Sequence, residues 1–160
     1  KDTAKSIRTQ LKAIGITSKQ VSVTSDHNSI SARIKDITID PAIVERLVDE
    51  HQRINRCHIS GDILCGGNTY TSTSYDWQVE AAIVKSEEYQ EHLRQVKELT
   101  EQLDDNRIIS WKGYETGVCL ANNDVAFLVF SPVERLSCKQ HNLHSLAWTL
   151  FVAEKNGTIK

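Results

Sequence analysis

Cys138, His141 and His144 recur at steps of three, and sulfur and imidazole at that spacing are ligands that could hold zinc or another transition metal. A closed site needs a fourth ligand, which Cys119, Cys57, Cys65 or His58 could supply only if folding gathered them. The plainer alternative is a buried cysteine beside two polar histidines at a helix start. Cys57-His58 sets a nucleophile beside a base, but adjacent residues in an extended chain point to opposite sides, and catalytic Cys–His pairs meet from distant positions. Asp36, Asp40 and Asp62 are carboxylates without a shared spacing, and Asp40 is explained more simply as a helix cap. No nucleophile elbow, zinc-protease helix or phosphate-cradling glycine loop is present, and Gly66-Gly67 reads as a tight turn. No catalytic residue, metal or cofactor is assigned, and the chain is expected not to be an enzyme.

The strongest feature is an acidic stripe. Trp77 to Asp105 contains neither Pro nor Gly and reads as one long helix. At 100° per residue, Glu80, Glu87, Glu91, Glu98, Glu101 and Asp105 fall within about 60° of one another, while Ala82, Tyr89, Leu93, Val96 and Leu103 gather opposite. Arg94 is the only cation near the stripe. Like charges four residues apart cost a few tenths of a kcal/mol in an isolated helix, so a helix that keeps them invites a basic partner. The simpler reading is a solvated face. Tyr89, Leu93, Val96 and Leu103 could alternatively form a short coiled-coil seam between two copies.

Cations also cluster. Lys5, Arg8, Lys12 and Lys19 around the first helix, with Tyr70 or Tyr75, could contact a nucleic-acid backbone and its bases, although the exposed side of any amphipathic helix looks similar.

The elements that must position these residues follow from local signals. Ile7, Leu11 and Ile14 mark a first helix, capped by Asp2 or Thr3 and stopped by Gly15. Gln20 to Thr24 alternates, Asp26-His27-Asn28 supplies turn chemistry, and Ile30, Ala32 and Ile34 alternate in a return strand. Asp40-Pro41 opens a second helix that buries Ile43, Val44, Leu47 and Val48. Cys57 to Gly67 has the character of a loop or irregular hairpin, and Asn68 to Tyr75 that of a strand. After the long helix come strands near 108–111, 117–121 and 125–130, the middle turn at Asn122-Asn123-Asp124, then an apolar helix from Leu143 to Glu154 stopped by Asn156-Gly157. The expected class is α+β: a small, mostly antiparallel sheet with two helices (1–76), a long connecting helix (77–105), and a hairpin-rich module with a C-terminal helix (106–160).

The composition fits this picture. Nineteen cationic and twenty-one anionic side chains give a net charge of −2, which argues against a polybasic nucleic-acid binder. Divided at residues 78 and 106, the segments carry +1, −5 and +2, so the acidity sits in the expected long helix. Four irregularly spaced cysteines suit reduced thiols in a cytosol rather than a disulfide scaffold. No basic-then-apolar start and no 18-residue apolar run occur, so neither a signal peptide nor a membrane span is expected.

Ile7-x3-Leu11-Lys12, Lys19 to Val23, Asn28 to Asp36 and above all the run from Gly61 to Tyr70 (GDILCGGNTY) carry a resemblance. Residues 7–75 resemble a small accessory domain of the large polyvalent proteins of phages, plasmids and conjugative elements, as in some anti-CRISPR proteins of Gram-positive mobile elements. The resemblance carries over no catalytic residue. It covers slightly less than half of the chain, leaves the long helix outside, and implies a defence-related binding protein rather than an enzyme. The reading adopted is a non-enzymatic protein of a phage or other mobile element, in the host cytoplasm, that binds and inhibits an RNA-guided nuclease, with the acidic stripe expected as the binding surface. The alternatives are a nucleic-acid-binding accessory protein of plasmid or phage DNA transactions and a homodimeric scaffold.

Overall fold

The computed structural model describes residues 2–101, 108–111, 114–121, 124–130, 138–140 and 143–158, with side chains for 3–98 and 143–158. The fold is α+β, and the chain divides into two compact units, 1–80 and 81–160, against the expected division at 76 and 105. The boundary falls inside the segment read as a connecting helix.

In the first unit, α1 (Asp2–Ala13) places Ala4, Ile7 and Leu11 on one buried face. It ends in a Schellman turn: the Ile16 N–H donates to the Leu11 carbonyl (2.9 Å) and the Gly15 N–H to the Lys12 carbonyl (3.1 Å). Gly15 takes φ +87°, which carries no Cβ penalty. This turn corrects the expected core, because Ile14 is left 53% exposed while Ile16 folds back and is buried beyond the glycine. β1 (Val21–Asp26) and β2 (Ser29–Ile34) form an antiparallel hairpin with Asp26 opposite Ser29, joined through His27-Asn28. α2 (Pro41–Asp49) starts as its sequence demands: the Asp40 carboxylate accepts from the Ala42 N–H at 2.9 Å, and Pro41 occupies the first turn, where no N–H is needed.

β3 (Tyr70–Tyr75) pairs with β2 in parallel, with Ser29 opposite Tyr70 and Ile34 opposite Tyr75. The three-stranded sheet, ordered β1-β2-β3, is therefore mixed rather than mostly antiparallel. The cause is topological: α2 and the segment after it lie between β2 and β3, and a crossover of that length returns the chain in the same direction, where a short turn would reverse it. Val21, Val23, Ile30, Ala32 and Ile34 meet α1 and α2 in one core that includes fully buried Val44 and Val48, with Ile39, Ile43, Leu47 and Tyr75 against its margin. The opposite sheet face carries Thr24, Ser31, Arg33, Ser72 and Ser74, cross-linked by Ser31–Ser72 and Arg33–Ser74 hydrogen bonds of 2.9 Å each.

Residues 53–69 form the irregular hairpin. Arg53 pairs with Thr69 and Arg56 with Ile63 as isolated antiparallel bridges. Asn68, only 8% exposed, holds the two arms together: its side-chain oxygen accepts from the Asn55 N–H (2.7 Å) and its amide donates to the Leu64 carbonyl (2.8 Å).

The expected single long helix is two. α3 (Trp77–Val84) and α4 (Glu87–Glu101) are separated by Lys85-Ser86. The Ser86 hydroxyl donates to the Ile83 carbonyl (2.6 Å) and accepts from the Tyr89 N–H (3.2 Å), while the Gln90 amide donates to the Val84 carbonyl (2.6 Å). Side chains thus replace backbone bonds at both helix ends, which lets the chain break without Gly or Pro. Ala82, expected on the buried stripe, is exposed.

The second unit contains an antiparallel sheet of four strands in sequence order, β4 (Ile108–Trp111), β5 (Tyr114–Ala121), β6 (Asp124–Phe130) and β7 (Cys138–Gln140). One strand more is present than the three expected. α5 (Leu143–Lys155) follows and buries Leu146, Ala147, Leu150, Phe151 and Val152. α4 packs on α5 through aromatic edges: the Tyr89 ring meets Phe151 at 5.3 Å and 86°, and His92 meets Phe151 at 5.2 Å and 68°. Among the described residues, no helix is long and apolar enough to cross a membrane.

Candidate partner-binding site

The acidic stripe sits chiefly on α4, and the packing of that helix decides which of its residues are available. Tyr89, His92 and Val96 are buried, at steps of three and four. Glu87, Glu91 and Glu98 are exposed and lie on the opposite side of the helix. The Ser86 cap and two acids in the first turn also suit the positive end of the helix dipole.

Arg94 organises this face. Its Nε and Nη2 grip Glu91 in a fork, at 3.0 Å to Oε2 and 2.6 Å to Oε1, and its Nη1 reaches Glu98 Oε1 at 2.7 Å. The Gln95 amide adds a bond to Glu91 at 2.7 Å. The Glu91 carboxyl is held below its ordinary range, first by the Arg94 hydrogen bonds and then by Gln95, and Arg94 is pushed up by the same pairing. Glu87 makes no ion pair among the described residues. Three carboxylates against one guanidinium leave the face negative, with its geometry set by Arg94.

The other members of the stripe are placed differently. Glu80 is exposed but belongs to α3, a separate helix that ends before the break at Lys85-Ser86. The backbone of Glu101 ends α4; its side chain, Leu103 and Asp105 lie outside the described residues. Glu88, adjacent to the stripe, pairs with Lys155 on α5. The coiled-coil seam is corrected, because Tyr89 and Val96 are each 1% exposed within a single chain. A second copy cannot pack on side chains already covered.

The other candidate groups have local work. Asp36 accepts from the Thr38 hydroxyl (2.6 Å), the Thr38 N–H (3.0 Å) and the Gln20 amide (3.0 Å), and these bonds hold its carboxyl below the usual value. Asp62 closes the irregular hairpin, its carbonyl accepting from the Cys57 N–H at 2.7 Å. The Cys57 thiol is drawn down to about 7 by the Ser60 hydroxyl and the Ser60 and Ile59 backbone N–H groups. Cys138 lies in β7 and His144 is exposed in the first turn of α5, while His141 lies outside the described residues. No cluster of three metal-ligating side chains occurs among the described residues.

The two tyrosines named with the basic group lie on opposite faces of the sheet. Tyr75 lies on the helix-covered side of the sheet, where burial raises its phenol, whereas Tyr70 belongs to the opposite side. Arg8 is engaged by the Val23 carbonyl at 2.5 Å. Two features went unread in the sequence. His92 is buried beside α5, and only its position one turn from Tyr89 and Val96 hinted at this. Ser86-Glu87-Glu88 is a legible helix start, a capping serine before two acids, which lay hidden inside a longer periodic run.

Comparison with known protein families, with curated proteins and with solved structures gave no match. The class defined by the fold is thus an α+β chain of two compact units.

Proposed function

We propose that this chain is a non-enzymatic binding protein of a phage or other mobile element that inhibits an RNA-guided nuclease of its bacterial host, acting in the host cytoplasm. Such nucleases thread nucleic acid through cationic channels and read a short duplex motif with arginines. A rigid negative helix face can occupy such a surface and exclude the substrate. The observation that carries this reading is the exposure of Glu87, Glu91 and Glu98 on the side of α4 that packing against α5 leaves free. The resemblance of residues 61–70 to mobile-element proteins supplies the biological class.

The test is inhibition of DNA cleavage by a purified RNA-guided nuclease, with variants of the α4 face. Reversing Glu87, Glu91 and Glu98 to Lys abolishes binding while the circular dichroism spectrum is retained. Arg94→Ala acts oppositely, because it strips the only guanidinium from the face and strengthens attraction to a cationic channel. Unchanged inhibition by the triple variant rejects the face as the site. Salt-sensitive retention of the native chain on free DNA, without nuclease binding, would favour an accessory protein of DNA transactions instead.

A further inference from the structure

The two edges of the first sheet are not equivalent. On β1 the Val21 N–H is taken by the Thr17 carbonyl (3.0 Å), and the Val23 carbonyl accepts from Arg8. That edge is closed by local chain and by a guanidinium. On β3 the Tyr70 N–H donates to Asn28 and the Asp76 N–H to Ile34, both towards β2, while Thr69 turns its N–H and carbonyl the other way to Arg53. Alternation along a strand then directs the backbone groups of Thr71 and Thr73 away from β2. Among the described residues, no backbone hydrogen bond reaches them.

We propose that β3 is a homodimer interface, pairing antiparallel with β3 of a second copy about a two-fold axis at Thr73. The strand reads Tyr-Thr-Ser-Thr-Ser-Tyr, nearly the same in both directions and without charge. Self-pairing therefore sets like beside like, and no lysine or proline lies within the strand; at its start the Thr71 hydroxyl is held by Asp49 (2.7 Å) and Gln52 (3.1 Å). With Thr73 opposite its own copy, each Thr73 N–H meets the other's carbonyl. Ser72 comes level with Ser74 of the second copy. The pairing stops at Asp76, where α3 turns away, and it brings Trp77, 69% exposed, level with the second copy's Arg53–Thr69 bridge. Because β1 is closed, the sheet cannot extend and association ends at two.

Sedimentation equilibrium of the full chain over a concentration series tests this. The native chain approaches twice its 18.1 kDa mass. Thr73→Pro removes an N–H that β2 does not use, so the sheet survives and the dimer dissociation constant rises roughly tenfold or more. Ser72→Lys with Ser74→Lys sets lysine opposite lysine across the axis and gives a monomer, while Ser72→Lys with Ser74→Glu sets lysine opposite glutamate and restores the dimer. These exposed pairs decide the matter if the proline variant does not fold. A native chain that stays monomeric throughout overturns the proposal, as does equal dimerisation of the two lysine variants. Neither result bears on the α4 face, whose test is nuclease inhibition.

Discussion

His92 Nε2 stands 3.0 Å from the carbonyl oxygen of Ala147, inside the packing of α4 on α5. A carbonyl only accepts, so Nε2 carries the hydrogen. Nδ1 lies 3.9 Å from the Glu154 carboxylate. The ring also meets Phe151 at 5.2 Å and Tyr89 at 6.3 Å, so one residue joins the two helices by both a polar and an aromatic contact. His92→Ala is expected to lower the unfolding free energy by about 2–4 kcal/mol, through the cavity and the lost bond. His92→Phe keeps an aromatic ring but loses the Ala147 bond and the approach to Glu154, and is expected to cost less than alanine, about 1–2 kcal/mol. Urea titrations with unchanged slope check both values.

Ser86 ends one helix and begins the next, and its hydroxyl serves both. Ser86→Ala removes the acceptor for the Tyr89 N–H, with an expected cost of about 1 kcal/mol. Ser86→Asp keeps an acceptor at the positive end of α4 and is expected to cost less than alanine. Thermal unfolding of the three proteins ranks them native, aspartate, alanine.

The irregular hairpin depends on Asn68. Asn68→Ala leaves the Asn55 N–H and the Leu64 carbonyl without their partners, an expected loss of about 1–3 kcal/mol. Amide exchange at Asn55 accelerates with it, whereas Asn68→Asp, which keeps the acceptor, protects Asn55 better than alanine does. Gly67→Ala disturbs the same loop by another route. Gly67 sits at φ +67°, and a Cβ there would lie 2.8 Å from the Asn55 side-chain nitrogen.

Cys57 is expected to react at lower pH than an ordinary thiol. Its folded value of about 7 against a usual 9.0 means that the fold favours the thiolate. The resulting stabilisation is complete above the ordinary thiol range and disappears as pH falls through about 7. Alkylation by iodoacetamide, followed at Cys57 by peptide mass mapping, should reach half its maximal rate near pH 7. Ser60→Ala removes the largest cause and moves that midpoint upward. A midpoint unmoved by the substitution would show that the Ser60 hydroxyl does not hold the thiolate.

Much of the first unit was legible because its signals are local. Asp40-Pro41 announces a helix start whatever surrounds it, Val21, Val23, Ile30, Ala32 and Ile34 alternate with the period of a half-buried hairpin, and Gly15 marks a helix end. Ser86 was equally local, but the continuous periodicity around it outweighed one capping serine. Ile14 was misplaced because three apolar residues at helical spacing do not reveal that the chain reverses at Gly15 and buries Ile16 instead. On the acidic face, the sequence placed Glu87, Glu91 and Glu98 together, but not how Arg94 binds two of them.

What the sequence by itself determined is most of the elements, though not the break at Ser86 or the last short strand, the α+β class, and the face of α4 that each residue occupies, since these follow from the short periods of helix and strand. Only the tertiary structure decided that β3 runs parallel to β2, that Tyr89, His92 and Val96 are covered by the unit's own packing, and that β1 is closed while the backbone of β3 points outward. Those properties depend on contacts between residues tens of positions apart. Such contacts are selected by burial of a shared core and by the reach of the connecting segments, and no local spacing encodes either.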